Sequence, residues 1–379
     1  MDRFDVVVAG TGGMGAAAAW HLARRGARVL GLDRFPPAHD RGSAHGRTRL
    51  IRLAYYEHPD YVPLLRRAYD LWCDLEADVG WRLLVESGLV MAGPQGCEVV
   101  TGAERSARLH GLELERLPPE EVGQRWPALT VPEAWEAVFE ARGGYLFVEE
   151  CVRAHCEAAT RSGAELRHGV EVHGWRREGD AIRIDTDRGP IAAGRLVLCP
   201  GAWAGGLLRL PHVPLRVLRK SQFWYAPPAM HRAAHVAGAL PCFAFDTPAG
   251  FFYGFPALDA RGVKVAEHTG GRPVTDPLAV DRDIDAIERG GIESFLAAHL
   301  PRAAARLTDH AACLYTMSPD SHFVLGRHPA EPRVVIAAGF SGHGFKFASV
   351  VGEACAELAL DGATRHPIAF LSPTRFGAA

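Results

Sequence analysis

The opening of the chain, from Asp5 to Asp33, constrains its fold more than any later stretch. A β-rich run, Asp5-Val6-Val7-Val8-Ala9, leads into Gly10-Thr11-Gly12-Gly13-Met14-Gly15, and strong helix formers follow from Ala16 to Arg25. Gly26 ends that helix, and a second β-rich run, Ala27 to Leu32, stops at Asp33. The segment therefore reads as one βαβ unit with a right-handed crossover. A GxGxxG turn between strand and helix lets backbone N–H groups and the positive helix end approach a pyrophosphate, where side chains at Gly10, Gly12 and Gly15 would obstruct it. Asp33, at the end of the second strand, is placed to accept a hydrogen bond from a ribose. The unit predicts a dinucleotide site without distinguishing a flavin from a nicotinamide.

At 379 residues the chain exceeds what one core usually serves, so two domains are expected. Lys plus Arg (42) against Asp plus Glu (44) leaves a net charge of −2, which gives no basic footprint for nucleic acid or an anionic membrane and favours a small-molecule partner. The strand-like run begins at Phe4, leaving no room for a signal peptide, and no run of about eighteen apolar residues occurs, so a cytoplasmic protein without a membrane span is expected. Cys73, Cys97, Cys151, Cys156, Cys199, Cys242, Cys313 and Cys355 form no CxxC pair, which predicts mostly buried, reduced thiols and no metal site. The basic residues are nearly all Arg. Only Lys220, Lys264 and Lys346 are lysines, and a compact, titratable ammonium does different work from a guanidinium.

Beyond the βαβ unit, Asp60 is placed to cap a helix carrying Tyr61, Leu64, Leu65, Ala68, Leu71 and Trp72 at helical spacing. Residues 81–141 alternate short apolar runs with Pro and Gly breaks, as an inserted second domain does. Cys151 to Arg161 reads as helix; Glu165 to Val172, Ala181 to Asp185 and Arg195 to Cys199 read as strands, followed by a turn at Pro200-Gly201-Ala202-Trp203. From Leu218 to Asp320 the pattern is β-rich with one helix near Ile284 to His299, and the end supplies a strand, Val334 to Ala338, and a helix, Lys346 to Leu360. The domains interleave: 1–80, 149–217 and 321–379 bind the dinucleotide, and 81–148 and 218–320 form the catalytic domain.

Three further segments carry chemistry. Ser43-Ala44-His45-Gly46-Arg47-Thr48-Arg49-Leu50-Ile51-Arg52 brings His45, Arg49 and Arg52 beside the dinucleotide, where Arg can clamp a carboxylate or stabilise negative charge on a reduced cofactor. The same residues would also suit a solvated basic loop. Cys313-Leu314-Tyr315-Thr316-Met317-Ser318-Pro319-Asp320 is the second segment. In the third, Gly339-Phe340-Ser341-Gly342-His343-Gly344-Phe345-Lys346, glycines before a helix suggest close backbone approach to a ligand. A lysine in the first helical turn opposes the macrodipole, which an anionic ligand explains better than helix stability; the alternative is a snorkelling surface lysine.

In order and spacing these motifs, with Phe252-Tyr253-Gly254-Phe255-Pro256 followed by Lys264 and His268, resemble the monomeric sarcosine oxidase and N-methyltryptophan oxidase family of D-amino-acid-oxidase-like FAD enzymes over nearly the whole length. The resemblance implies an α/β fold in which a Rossmann-like FAD-binding domain is interleaved with a mixed β-sheet catalytic domain. It implies FAD, held through a thioether from Cys313 to the flavin 8α-methyl, where composition alone would make Cys313 another core thiol. It assigns Lys264 to oxygen reduction near flavin N5, Arg52 and Lys346 to the substrate carboxylate, and Tyr253, His268 and Tyr315 to the substrate amine. His45 and Arg49 fall beside the flavin ring, and Gly10, Gly12, Gly13, Gly15, Asp33, Ser43, Val172, Gly201, Gly342 and Gly344 in the cofactor cradle. The implied activity is oxidation of the C–N bond of a small secondary amino acid, N-methyl or cyclic, to an imine by a monomer, with O2 reduced to H2O2. A flavin dehydrogenase using another acceptor is the alternative that Lys264 disfavours, and a flavin-binding protein without turnover is the one that Arg52, Lys264 and Lys346 together disfavour. Two positions depart from the family pattern. Ala244, within Phe243-Ala244-Phe245-Asp246 on one wall of the implied pocket, is small enough to admit a bulkier amine, and Arg47 lies within the basic loop. Lys220 is expected to be a surface or interface residue.

Overall fold

A computed structural model describes residues 3–303 and 306–377. The βαβ unit is formed by β1 (Arg3–Ala9), α1 (Gly13–Arg24) and β2 (Val29–Asp33). β1 lies between β2 and the strand Ile191–Leu198, parallel to both, and Glu165–His168 and Glu331–Ala338 extend the parallel array on either side. Antiparallel strands at Val172–Glu178, Ala181–Thr186 and Val324–His328 complete an eight-stranded sheet. Val6, Val7 and Val8 are all fully buried, as a strand covered on both faces requires. The alanines of α1 let two helices, Val148–Arg161 and Ala348–Asp361, close over it: a Cβ on Gly352 would stand 2.5 Å from that of Ala17.

A nine-stranded mixed sheet holds the long antiparallel ladder between Arg216–Ala226 and Arg306–Met317, and continues through Val263–Glu267, Gly250–Phe255 and Cys242–Thr247 to Leu89–Pro94. Directly opposed residues project to the same side of a sheet. The pairs Lys220 with Cys313, Leu218 with Tyr315, Trp224 with Lys264 and Ala244 with Tyr253 therefore place these side chains on one face. Phe223, Tyr225, Phe243, Phe245, Val263 and Val265 pack on the other, against the helix Ala286–His299. A small sheet of Thr48–Ile51, Gly144–Phe147 and Leu84–Glu86 carries the basic segment.

Several local expectations change. Asp60 precedes the helix Tyr61–Val79, but its side chain accepts no capping bond and its backbone is already helical. The run from Glu165 to Val172 is split between two strands. The last long helix starts at Ala348, and Lys346 sits in a preceding 3-10 turn, Phe345–Phe347. Residues 81–141 include a helix, Glu98–His110, that short apolar runs did not reveal. Among the described residues no helix is long and apolar enough to cross a membrane.

Candidate active site

The carboxyl ends of the parallel strands open into a cleft of about 1380 Å³, mouth included, whose wall contains Gly10, Gly12, Gly13, Asp33, Ser43, Val172, Gly201, Gly342 and Gly344. The glycines of the turn divide their work. A Cβ on Gly10 would lie 2.2 Å from the Cys199 carbonyl oxygen and one on Gly15 only 1.7 Å from that of Gly10, so both are required by the turn itself. A Cβ on Gly12 would meet no protein atom within 4 Å, so packing does not require this glycine and its bare backbone is open to a ligand in the cleft. Likewise a side chain on Gly342 would strike the Tyr315 ring at 2.2 Å, and one on Gly344 the Phe340 ring at 2.5 Å. These glycines line the cleft but make room first for the protein's own rings. Asp33 accepts from the Thr11 backbone N–H at 2.7 Å and from that of Phe35 at 2.9 Å. Asp33 and Tyr315 share this one wall, which suits an extended dinucleotide with bare backbone at Gly12 and a carboxylate at the ribose position.

Near Tyr315 the cleft meets a dense cationic cluster. Arg49 donates to the carbonyls of Thr48 (2.9 Å) and Ser43 (2.8 Å) and to Cys313 Sγ (3.2 Å), while Ser43 Oγ donates to the Leu314 carbonyl at 2.6 Å. Burial pushes the Cys313 thiol up, but Arg49, His45 and Lys264 outweigh it and hold the thiol down to about 6. His45 is buried, and its Nε2 finds no partner among the described residues. Lys264 is fully enclosed: Nζ donates to the carbonyls of Gly46 (2.6 Å) and Thr48 (2.8 Å) and lies 4.9 Å from the centre of the Phe255 ring. Burial, reinforced by Arg49, holds its ammonium well below the ordinary lysine range. The wall of neither cavity includes Lys264. Glu149 fixes the intervening loop by accepting from the backbone N–H groups of Gly46 (2.7 Å) and Arg47 (3.0 Å).

A second chamber, about 430 Å³ with its opening, shares Arg49, Gly342 and Phe345 with the cleft and is lined also by Arg52, Glu57, Tyr253, His268 and Lys346. Arg52 donates to Glu57 Oε2 at 2.5 Å, lies 4.5 Å from the Tyr55 ring centre and 4.8 Å from that of Tyr56, and keeps a buried Nε without a partner among the described residues. Burial opposes the Glu57 charge, yet Arg52, His343 and Lys346 hold its carboxyl down to about 2. Lys346 Nζ donates to the His343 carbonyl at 2.8 Å; burial and Arg52 bring it down to about 7, with Glu57 acting the other way. On the sheet side, the Tyr315 hydroxyl lies 3.5 Å from that of Tyr253 and 3.4 Å from His268 Nδ1. Burial above all lowers His268 to about 3, so its ring is neutral.

Sequence reading missed Glu57, Tyr56 and His343. Glu57 stands five residues after Arg52, a short-range carboxylate that could have been noticed beside a buried arginine. Ala244 is not in the chamber wall; Phe251 and Tyr56 are, and Ala244 packs beside its cross-strand neighbour Tyr253. Arg47 points outward to Asp259 (3.4 Å) and Glu150 (3.7 Å). The surface role expected of Lys220 is wrong: the residue is 4% exposed, on the same sheet face as Cys313.

A glycine-turn cleft at the ends of a parallel sheet, joined to a chamber walled by buried cations and tyrosines, defines a dinucleotide-dependent oxidoreductase. Residues 5–358 match the family described as DAO, FAD dependent oxidoreductase. The chain is 41% identical to a monomeric sarcosine oxidase of Streptomyces avermitilis, over 99% of this chain and 98% of that one, and 34% identical to an N-methyl-L-tryptophan oxidase of Yersinia pestis, over 98% and 99%. Among solved structures it is similar to NikD, described as an unusual amino acid oxidase essential for nikkomycin biosynthesis (TM-score 0.85, 26% identity, 98% of both chains). It shares the fold of an L-proline dehydrogenase from P. horikoshii (TM-score 0.84, 23% identity, 99% of both chains). The chain belongs to the DAO family of FAD-dependent oxidoreductases.

Proposed function

We propose that this enzyme oxidises the C–N bond of a small N-methyl or other secondary amino acid to the imine, with O2 reduced to H2O2. The observation that carries the reading is the pairing of Arg52 and Lys346, both buried, on a chamber that adjoins the cleft and is faced by Tyr253 and His268. Glu57 already balances Arg52, so the protonated Lys346 is the charge that favours a carboxylate there, and Arg52 Nε–H, without a partner among the described residues, is a further donor. The neutral ring of His268 and the hydroxyls of Tyr253 and Tyr315 receive an uncharged amine without cationic repulsion. FAD, when bound, supplies the two-electron acceptor that O2 then regenerates. The names of the relatives, sarcosine oxidase and N-methyl-L-tryptophan oxidase, point to the same substrate class.

The reading extends to finer assignments. Cys313, largely thiolate at neutral pH, would hold FAD through its thioether, with Arg49 and His45 beside the ring, and Lys264 would supply the cation for oxygen reduction. The division into 1–80, 149–217 and 321–379 against 81–148 and 218–320 is supported by the segregation of strands between the two large sheets. Monomeric action follows the relatives' name, and a cytoplasmic setting suits eight unpaired thiols. A panel of N-methyl and cyclic amino acids, mixed anaerobically with the yellow protein, tests the function: bleaching by at least one, and stoichiometric peroxide on admitting air, is expected. Failure of every amine to bleach the flavin would overturn it. Colour released from the polypeptide by acid denaturation would remove the thioether.

A further inference from the structure

Lys220 is the one lysine for which the proposed chemistry has no use, and its setting is not that of a bystander. It is 4% exposed, and no carboxylate lies within ion-pairing distance of its ammonium among the described residues. Its Nζ donates to the carbonyl of Thr269, the residue after His268, and stands 5.8 Å from the centre of the Tyr315 ring. Tyr315 in turn carries the hydroxyl to which His268 Nδ1 is hydrogen-bonded. The sequence makes room for this crossing at Gly271, whose φ is +108°: a Cβ there would come within 2.8 Å of Lys220 Cδ and 2.9 Å of the Arg219 carbonyl oxygen. Burying an unpaired ammonium costs free energy unless its bonds are satisfied, and a carbonyl and an aromatic face are what the fold provides. Burial lowers its proton affinity, and Glu267 and Glu288 partly restore it.

We propose that Lys220 is a positioning residue for the amine-facing wall, its ammonium tying the backbone beside His268 to the ring of Tyr315 and so holding the His268–Tyr315 pair in register for the substrate. The inference rests on the amine-oxidase reading of the chamber. Without the tether, the segment Glu267–Gly271 is held by the His268 N–H to Phe251 carbonyl bond (2.7 Å) and by Thr269 Oγ1, which accepts from the Phe251 N–H (3.0 Å). The wall should then loosen rather than unfold.

The test compares the FAD-loaded parent with Lys220→Met, Lys220→Gln and Lys220→Arg. For an N-methyl amino acid that bleaches the parent, Lys220→Met is expected to raise the dissociation constant about tenfold while the limiting rate of anaerobic bleaching falls less than about threefold, the loss of one charge-assisted hydrogen bond. Lys220→Arg, which keeps a donor and a charge, should recover most of that affinity. Lys220→Gln, which keeps only a donor, carries the comparison if the Met variant fails to fold. A second readout needs no substrate: in the loaded, ligand-free protein, amide exchange in the peptide containing His268 to Gly271 should quicken about tenfold in the Met or Gln variant. Affinity and exchange both within twofold of the parent in Lys220→Gln would overturn the proposal. Because exchange is read without turnover, a failed amine-oxidase reading and a failed tether are distinguishable.

Discussion

At Cys313 two opposing forces meet at one sulfur, and the outcome depends on Arg49. Burial favours the neutral thiol; the guanidinium at 3.2 Å, with His45 and Lys264, favours the thiolate and brings the group down to about 6. In flavin-free Arg49→Met the largest opposing charge disappears while burial remains. Thiolate absorbance in the ultraviolet, read against a Cys313→Ser control, is then expected to titrate well above neutrality instead of near pH 6. At Lys346 the balance runs the other way: burial and Arg52 bring the ammonium down to about 7. A carboxylate binds only the protonated form, so the affinity for an amine-free carboxylate such as acetate should be flat below about pH 7. It should then fall by up to about tenfold per pH unit above, a slope that Lys346→Met abolishes, as flavin difference spectra would record. The carboxylate roles proposed for Arg52 and Lys346 were suggested by the family resemblance; taken alone, the segment of Arg52 would also suit a solvated basic loop, and only Lys346 had a local signal, a lysine set against the macrodipole. Glu57 has only its closeness in sequence to Arg52 to mark it, since a lone carboxylate after two tyrosines shows no periodicity, and the ion pair itself is visible only in the fold.

At the scale of elements, the GxGxxG turn separates packing from binding residue by residue. Gly12→Ala introduces a methyl into open space at an ordinary backbone angle, φ −68°, so the flavin-free protein should melt within a degree or two of the parent while FAD binding weakens markedly. Gly15→Ala sets a methyl against the Gly10 carbonyl and should destabilise the flavin-free protein by about 2–3 kcal/mol, in the range of overpacked cores. Thermal unfolding with and without FAD separates the two effects; equal melting temperatures for the flavin-free variants would contradict this division. The βαβ unit was legible within three residues because local signals agree there: apolar run, glycine turn, alanine helix, glycine stop. The helix Glu98–His110 was not, because its buried face of Val99, Val100, Ala103 and Ala107 is thin and interrupted by Gly102. Gly102 is there because Tyr56 packs against it, with the Tyr56 carbonyl 2.7 Å from where a Cβ would stand. Lys220 was misread for a related reason: every residue from Arg219 to Tyr225 is buried, so polarity does not alternate along the strand.

Over the whole molecule, the chain leaves the parallel sheet, builds part of the mixed sheet, returns and leaves again, and pairings such as Thr48 with Phe147 span a separation that no local signal encodes. Lys264 joins these parts, reaching from the mixed sheet to the Gly46 and Thr48 carbonyls at the mouth of the basic segment. Its ammonium therefore has a structural task whether or not it also serves oxygen, and one substitution separates the two. Lys264→Met removes a charged donor from two carbonyls that each keep another, Arg49 on Thr48 (2.9 Å) and the Thr48 N–H on Gly46 (2.9 Å), so it should lower stability by only about 1–3 kcal/mol, the net worth of a hydrogen bond to a charged group. If the lysine is only a tether, the folded, FAD-loaded fraction should react with O2 at the parent rate. If its charge also stabilises the superoxide-like product of the first electron transfer, the bimolecular rate of reoxidation should fall by about a hundredfold or more, the usual effect of removing a preorganised electrostatic partner. Anaerobic bleaching by the amino acid should persist in both cases, because Arg52, Lys346 and the tyrosine wall lie on the chamber and Lys264 lies behind the Gly46–Thr48 loop. We expect the slow reoxidation, since a buried ammonium flanked by Arg49 and Cys313 is a more costly device than a tether between two carbonyls requires.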